Sequence, residues 1–260
     1  MFLREVGDDT RLKKTFLELP VQLYATDQNW IRPLDNDVEA VFDPRKNPHF
    51  KQGEAIRWIL FSDSSEPIGR VAAFYERNTK EGEVPVGGMG FFECIEDESA
   101  AILLFDACKN WLAERGMEGM DGPINFGERD GFWGLMVKGW EFEPTYKMPW
   151  TKPYYIAFFE NYGFKDYFQQ YVFVSSIAGA NVTQGIEEKA QRIFNNPDYV
   201  FQHIEKSNLP KYADDFRFIF NAAWAKFPGV KEMSSESAQK LVKTMKPIID
   251  EQLLWFAYTT

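Results

Sequence analysis

The stretch Met148-Pro-Trp-Thr-Lys-Pro-Tyr-Tyr-Ile-Ala-Phe-Phe-Glu-Asn-Tyr-Gly163-Phe164 constrains the fold most. An aromatic-rich helix stops at a glycine and runs directly into Phe164 to Val174, whose β-branched and aromatic content predicts a strand. Helices often end on a residue in the left-handed conformation, which glycine enters without a Cβ clash, so Gly163 is the expected C-cap. A helix passing at once into a strand belongs to a mixed α/β protein, not to a bundle or a sandwich.

The rest of the chain agrees with that class. Phe2 to Val6 reads as a strand, and Asp8-Asp9-Thr10 offers an N-cap for a helix running until Pro20. Val21 to Phe50 mixes prolines and charges around a short helix, Asp37 to Phe42, and is a candidate lid over a cleft. Ile56 to Phe61, Ile68 to Phe74 and Glu83 to Cys94 form three strands with short polar connections, an antiparallel meander. Glu98 to Arg115 is an amphipathic helix ended by Gly116, and Gly119 to Phe126 is the next strand, the ingredients of a right-handed parallel crossover.

Residues 177–198 hold glycines, asparagines and one short polar helix, Ile186 to Phe194, and read as a linker. Beyond it the pattern begins again: strand Tyr199 to Glu205, helices Lys211 to Trp224 and Ser235 to Met245, strand Leu253 to Tyr258. Trp58 follows Phe2 at nearly the spacing at which Trp255 follows Val200, so residues 199–260 are expected to begin a second copy of the fold in 1–176. Leu-Leu-Trp-Phe-Ala-Tyr as a last strand would expose an apolar edge, and the natural protein is expected to continue past Thr260. The other reading packs these helices on the first domain.

Composition narrows the partners. Twenty-nine basic against thirty-nine acidic residues give a net charge of −10, which argues against nucleic acid. No apolar run is long enough to cross a bilayer and no signal peptide opens the chain, so the expectation is a cytoplasmic protein without a membrane partner, monomer or homodimer. Cys94 and Cys108, with only His49 and His203 beside them, make no plausible zinc site, and both thiols are expected free and buried, with no metal.

Tyr-Tyr-x-Ala-Phe-Phe-Glu-x-x-Gly-Phe, followed through Ala157, Phe158, Glu160, Gly163 and Phe164, resembles the last motif of the GNAT acyl-CoA N-acyltransferases, although Phe159 stands where that family usually has a tyrosine. The resemblance covers about residues 1–176 and implies a mixed sheet flanked by helices. It further implies a gap between two splayed parallel strands where acetyl-CoA or another acyl-CoA lies. Its diphosphate would meet the start of the crossover helix, where helix N–H donors and the dipole favour anions. The residues so placed are Phe92, Cys94 and Ile95 on the strand, Ser99, Ala100 and Ala101 at the helix start, and Phe159. The loop Glu96-Asp-Glu-Ser-Ala-Ala101 lacks the family's glycines and carries three carboxylates, so Asp97 also reads as an ordinary helix cap. By the same resemblance Glu93 is the candidate base, with a solvent-facing carboxylate as the alternative, and Tyr155, one turn before Phe159, is the candidate acid, with core packing as the alternative.

Gly122-Pro-Ile-Asn125-Phe-Gly-Glu128-Arg129-Asp-Gly-Phe-Trp133-Gly-Leu-Met-Val-Lys-Gly139-Trp140 follows the splayed strand, where α/β folds place ligands. Asn125 offers an amide beside the reacting group, and Glu128, Arg129, Trp133 and Trp140 offer charge and stacking for a small-molecule or peptide amine. Together with Pro149-Trp-Thr-Lys-Pro153-Tyr-Tyr155, this segment is similar to one in bacterial tandem-GNAT proteins. Two functions stay open: acyl-CoA-dependent N-acyl transfer to an amine, or a catalytically inactive GNAT-fold domain that binds a ligand or scaffolds.

Overall fold

The computed structural model describes residues 1–77, 84–127, 129, 131–176, 183–227, 230 and 232–260, and the backbone of 80–81. It divides into two compact units, Met1–Tyr171 and Val172–Thr260.

The first unit opens with β1 (Phe2–Glu5), α1 (Thr10–Leu23) and α2 (Asp35–Val41). The meander follows as β2 (Gly53–Phe61), β3 (Pro67–Glu76), the two-residue β4 (Lys80–Glu81) and β5 (Val84–Cys94). Then come α3 (Glu98–Ala113), β6 (Gly119–Asp121) and α4 (Tyr155–Tyr162). The sheet order is β1-β2-β3-β5-β4, with β6 pairing β5. β1, β2, β3 and β5 are antiparallel neighbours, and β5 and β6 are parallel across the α3 crossover. This is a mixed sheet flanked by helices, the architecture that the resemblance implies.

The caps are as the sequence indicates. Asp9 accepts from the N–H groups of Arg11 and Leu12. Asp97 accepts from those of Ser99 and Ala100. Gly163 closes α4 at φ 113°, with the Phe164 N–H returning to the Phe159 carbonyl. The main core lies between the sheet and helices α3 and α4, where Met89, Phe92, Leu104, Phe105, Tyr155 and Phe159 are buried together. Cys94 and Cys108 are free and buried.

Three expectations are corrected. The first helix does not stop at Pro20 but continues through it to Leu23. Proline removes only its own N–H, and the carbonyl thereby freed finds another donor. The strand expected from Gly119 to Phe126 ends at Asp121, because Pro123 has no N–H with which to extend the ladder. Among the described residues Phe164 to Val174 is not a strand, and most of its side chains are exposed. Strand propensity by itself does not form a ladder.

The second unit comprises α5 (Gln184–Phe194), β7 (Tyr199–His203), α6 (Leu209–Trp224), α7 (Ser235–Met245) and β8 (Trp255–Thr259). β7 and β8 pair antiparallel, over a core of Ile204, Leu209, Tyr212, Ala213, Ala238 and Val242.

Candidate functional site

Arg70 on β3 and Glu93 on β5 are direct cross-strand partners, so their side chains share one face of the sheet, and both are buried. Immediately beside this pair the register shifts, and Val71 alone spans the two residues Phe91 and Phe92 of a β-bulge. Phe91 sits at φ 51°, a left-handed conformation that costs an aromatic residue strain. The bulge re-aims β5 immediately before Glu93, which is back in register opposite Arg70.

Arg70 is fixed by the proline inside α1. Pro20 has no N–H for the carbonyl of Phe16, four residues earlier, and Arg70 Nη1 donates to that oxygen at 2.5 Å. The guanidinium also lies 4.6 Å from the Phe16 ring centroid, and its Nη2 is 3.5 Å from Glu93 Oε1. Arg70 Nε is buried with no hydrogen-bond partner.

The other carboxylate oxygen, Oε2, accepts from Tyr24 at 2.7 Å and from Tyr155 at 3.0 Å. Burial pushes the Glu93 carboxyl up, while Arg70 and the two phenols pull it back down. Burial and the Glu93 charge push both phenols far up, so each keeps its proton. A carboxylate with one oxygen held by two phenols and the other facing only a guanidinium at 3.5 Å is equipped to accept a proton.

Arg70, Glu93, Phe92 and Tyr155 line a cavity of about 80 Å³ whose walls include Trp30, Ile31, Phe132, Met148 and Trp150. With roughly 30 Å³ per liquid water, that volume holds a polar head and a few carbons. Tyr24 stacks on Trp30 at 5.0 Å and meets Trp150 edge-on at 5.8 Å, joining the carboxylate to the aromatic wall.

The sequence-predicted residues divide. Glu93, Tyr155 and Phe92 come together at this cavity. Asn125, Arg129, Trp133 and Trp140 do not line it. Arg129 instead lies 5.4 Å from the Trp133 ring, and Trp140 donates to the Thr151 carbonyl and accepts from Asn29. Asn125 Oδ1 is buried without a partner. Glu128 lies outside the described residues. Phe159 is a core residue packed on Phe92, Phe105 and Phe164. The reading of Glu93 as a solvent-facing carboxylate does not hold, since it is buried, whereas Tyr155 is fully buried with its hydroxyl bonded to Glu93, as core packing with a satisfied hydroxyl also expects.

Tyr24 and Arg70 were missed by sequence reasoning. Arg70 had a signal: it is the lone charge in Ile68-Gly-Arg-Val-Ala-Ala-Phe74, a strand otherwise fit for burial.

A coenzyme A diphosphate does not fit the start of α3 as it stands. Asp97 Oδ1 already accepts from Ser99 N, Ser99 Oγ and Ala100 N at 2.8, 2.6 and 3.3 Å, and Ala101 N bonds to the Asp97 carbonyl. Ladder pairing between β5 and β6 ends at Gly88, the Ile124 N–H still bonds to the Met89 carbonyl, and at the end of β5 the Cys94 N–H donates to Tyr155 while the Cys94 carbonyl accepts from Tyr154. The backbone of Cys94, the helix start at Ser99, Ala100 and Ala101, and Phe159 are thus engaged by the protein itself, and Ile95 packs against the core. Among the described residues no group of His, Cys, Asp and Glu could hold a metal ion, and no helix is long and apolar enough to cross a membrane.

No family model matches the chain. It is 28% identical over 250 residues to a bacterial ceramide synthase of Caulobacter vibrioides and 22% identical over 248 residues to protein YghO of Escherichia coli, in each case across 94% of this chain. It spans 63% and 62% of the length of those relatives. Among solved structures it is similar to a putative acetyl transferase from Pyrococcus furiosus, with a TM-score of 0.37 and 14% identity over 68% of this chain and 99% of that one. It is also similar to a GCN5-related glucosamine N-acetyltransferase region in a fungal multi-domain GH3 beta-N-acetylglucosaminidase, with a TM-score of 0.47 and 11% identity over 99% of this chain and 26% of that one.

Proposed function

We propose that the protein takes part in N-acyl transfer and that its first unit binds the amine acceptor, with Glu93 as the group that takes the amine proton. The observation that carries this reading is a buried carboxylate that lines an aromatic cavity, with Oε2 held by two phenols and Oε1 paired at 3.5 Å with Arg70. General-base work needs reach and a raised carboxyl pKa, and Glu93 has both features. The name of the Caulobacter relative supports an amphiphilic acceptor, since a ceramide is the amide of a long-chain amino alcohol. An apolar wall ending in an ion pair suits the head of such a molecule, with the amine at Glu93, its first few carbons against Trp30, Phe132 and Trp150, and the rest of the chain outside the cavity. The acyl donor, when bound, supplies the electrophilic carbonyl.

The test is mass-spectrometric detection of amide after incubating the purified chain with acyl-CoA donors and a panel of amines, from short alkylamines to long-chain amino alcohols. The expected result is amide with long-chain acceptors that falls at least a hundredfold in Glu93→Gln. Equal turnover in that variant would sink the reading.

A second reading has its own support. Tyr155 and Asp97 engage backbone N–H donors that an acyl-CoA would need, and Tyr154 occupies the Cys94 carbonyl, which favours a first unit that binds the acceptor without holding a donor itself. The second unit repeats the order strand, helix, helix, strand with an antiparallel closing pair, as in β1-α1-α2-β2, which supports a tandem of two related folds.

A further inference from the structure

Tyr24, at the C-terminal end of α1, reaches the carboxylate with its hydroxyl. Its ring is 1% exposed and held by Trp30 and Trp150, so a phenylalanine would fill the same space. Its O–H instead ends 2.7 Å from Glu93 Oε2, shorter than the 3.0 Å contact made by Tyr155. Tyr155 divides its single proton between Glu93 Oε2 and the Cys94 carbonyl, 3.2 Å away. Tyr24 is therefore the constant donor and Tyr155 the shared one.

We propose that Tyr24 is a positioning residue for Glu93: its hydroxyl pins Oε2 and keeps the carboxylate ionised, leaving Oε1 as the atom that receives a proton from a bound amine. The inference rests on the acyl-transfer reading for its use in the reaction, but the Tyr24–Glu93 coupling stands independently of it. With an acyl thioester presented from elsewhere, Glu93 Oε1 would take the N–H proton of the neutral amine as the N–C bond formed and the C–S bond broke, and would hand that proton to the departing thiolate. The sum is amide plus thiol, with Glu93 returned to carboxylate.

The charged and titratable groups facing Glu93 are Arg70 from β3, Tyr24 from α1, Tyr154 and Tyr155 from α4, and Cys94 beside it on β5. Arg70 supplies charge, while the two phenols supply direction as well as charge stabilisation. Tyr24 does not line the cavity itself but packs against Trp30 and Trp150, both of which do, so the ring that orients the base also supports the cavity wall.

The test uses the full chain in two variants, Tyr24→Phe and 3,5-difluorotyrosine at position 24, each followed by infrared titration of the Glu93 carboxyl, the band that Glu93→Gln abolishes. Removing the donor is expected to move the protonation midpoint up by about one pH unit, and the more acidic fluorinated phenol is expected to move it down. The acid limb of kcat/KM for amide formation should follow in the same directions, with kcat falling about tenfold in Tyr24→Phe and KM little changed. A midpoint unmoved in both variants overturns the proposal, because a merely structural ring gives no shifts of opposite sign. Midpoints that shift as expected with no amide formed from any amine would uphold the coupling and overturn the acyl-transfer reading instead.

Discussion

The phenol oxygen of Tyr24 lies 2.7 Å from Oε2 of Glu93, and 69 residues separate the two in the chain. The contact exists because α1 runs through Pro20 instead of ending there, which carries Tyr24 one further turn to the strand face where Arg70 and Glu93 stand opposed. The same proline frees the Phe16 carbonyl that anchors Arg70. One residue thus sets two of the groups around the carboxylate.

The Arg70–Glu93 pair should behave as a buried ion pair in stability as well as chemistry. Arg70→Gln or Glu93→Gln alone leaves the other charge buried and unpaired, and urea unfolding should show a loss of about 3–5 kcal/mol. The double variant, two neutral amides in the same space, should recover most of that stability while remaining inactive in amide formation. Recovery of activity with stability would show that the pair acts only through the fold.

Both thiols should be inert in the folded protein. Burial, then Asp97 and Glu93, push the Cys94 thiol up to about 12, and burial alone pushes Cys108 far up. At pH 8 neither should react with a thiol reagent at a measurable rate, and labelling should appear only with the unfolding transition in urea. Rapid labelling of Cys94 in native buffer would mean that the gap between β5 and β6 opens on its own.

Much of the first unit was legible because local rules and tertiary packing agree there. Asp9, Asp97 and Gly163 cap the helices that their chemistry indicates, and the alternating strands of the meander pair as expected. Legibility failed where a partner decides the outcome. Phe164 to Val174 has strand propensity yet forms no ladder among the described residues, and Pro20 is tolerated because Arg70 donates to the carbonyl it leaves free. In the site, Glu93 and Tyr155 could be named from the resemblance, whereas Tyr24 and Arg70 depend on register, a bulge and the exact length of α1, none of which composition encodes. The glycine-rich segment after β6 drew Asn125, Arg129, Trp133 and Trp140 into the expected site, yet the cavity takes Phe132, Gly134 and Leu135 from it instead.

Restoring a tyrosine at position 159 should not restore chemistry. Phe159 is 3% exposed between Phe92, Phe105 and Phe164, and an added hydroxyl would enter an aromatic core. Phe159→Tyr should cost about 1–3 kcal/mol in urea unfolding through an unsatisfied buried hydroxyl, without raising the rate of amide formation. A faster enzyme would place the leaving group beside α4 and weaken the assignment of the proton to Glu93 and its two phenols.

Asp97 decides between the two readings of the first unit. Its carboxyl is held low, first by the Ser99 hydroxyl and then by the backbone N–H groups of Ala100 and Ser99. A carboxyl depressed in the folded state stabilises above its unfolded pKa, so this cap contributes at neutral pH and is lost as pH falls through the folded value. Asp97→Ala should therefore destabilise the protein by about 1 kcal/mol at pH 7 and progressively less in acid, measured by urea unfolding across pH. The substitution also frees the N–H groups of Ser99 and Ala100 at the start of α3 and removes the charge nearest to any diphosphate there. If the first unit holds its own donor, calorimetric titration with coenzyme A should show at least tenfold tighter binding to Asp97→Ala than to the native chain. If Tyr154 and Tyr155 close the gap permanently, binding stays undetectable in both proteins, and the first unit is an acceptor-binding fold whose donor is presented from elsewhere.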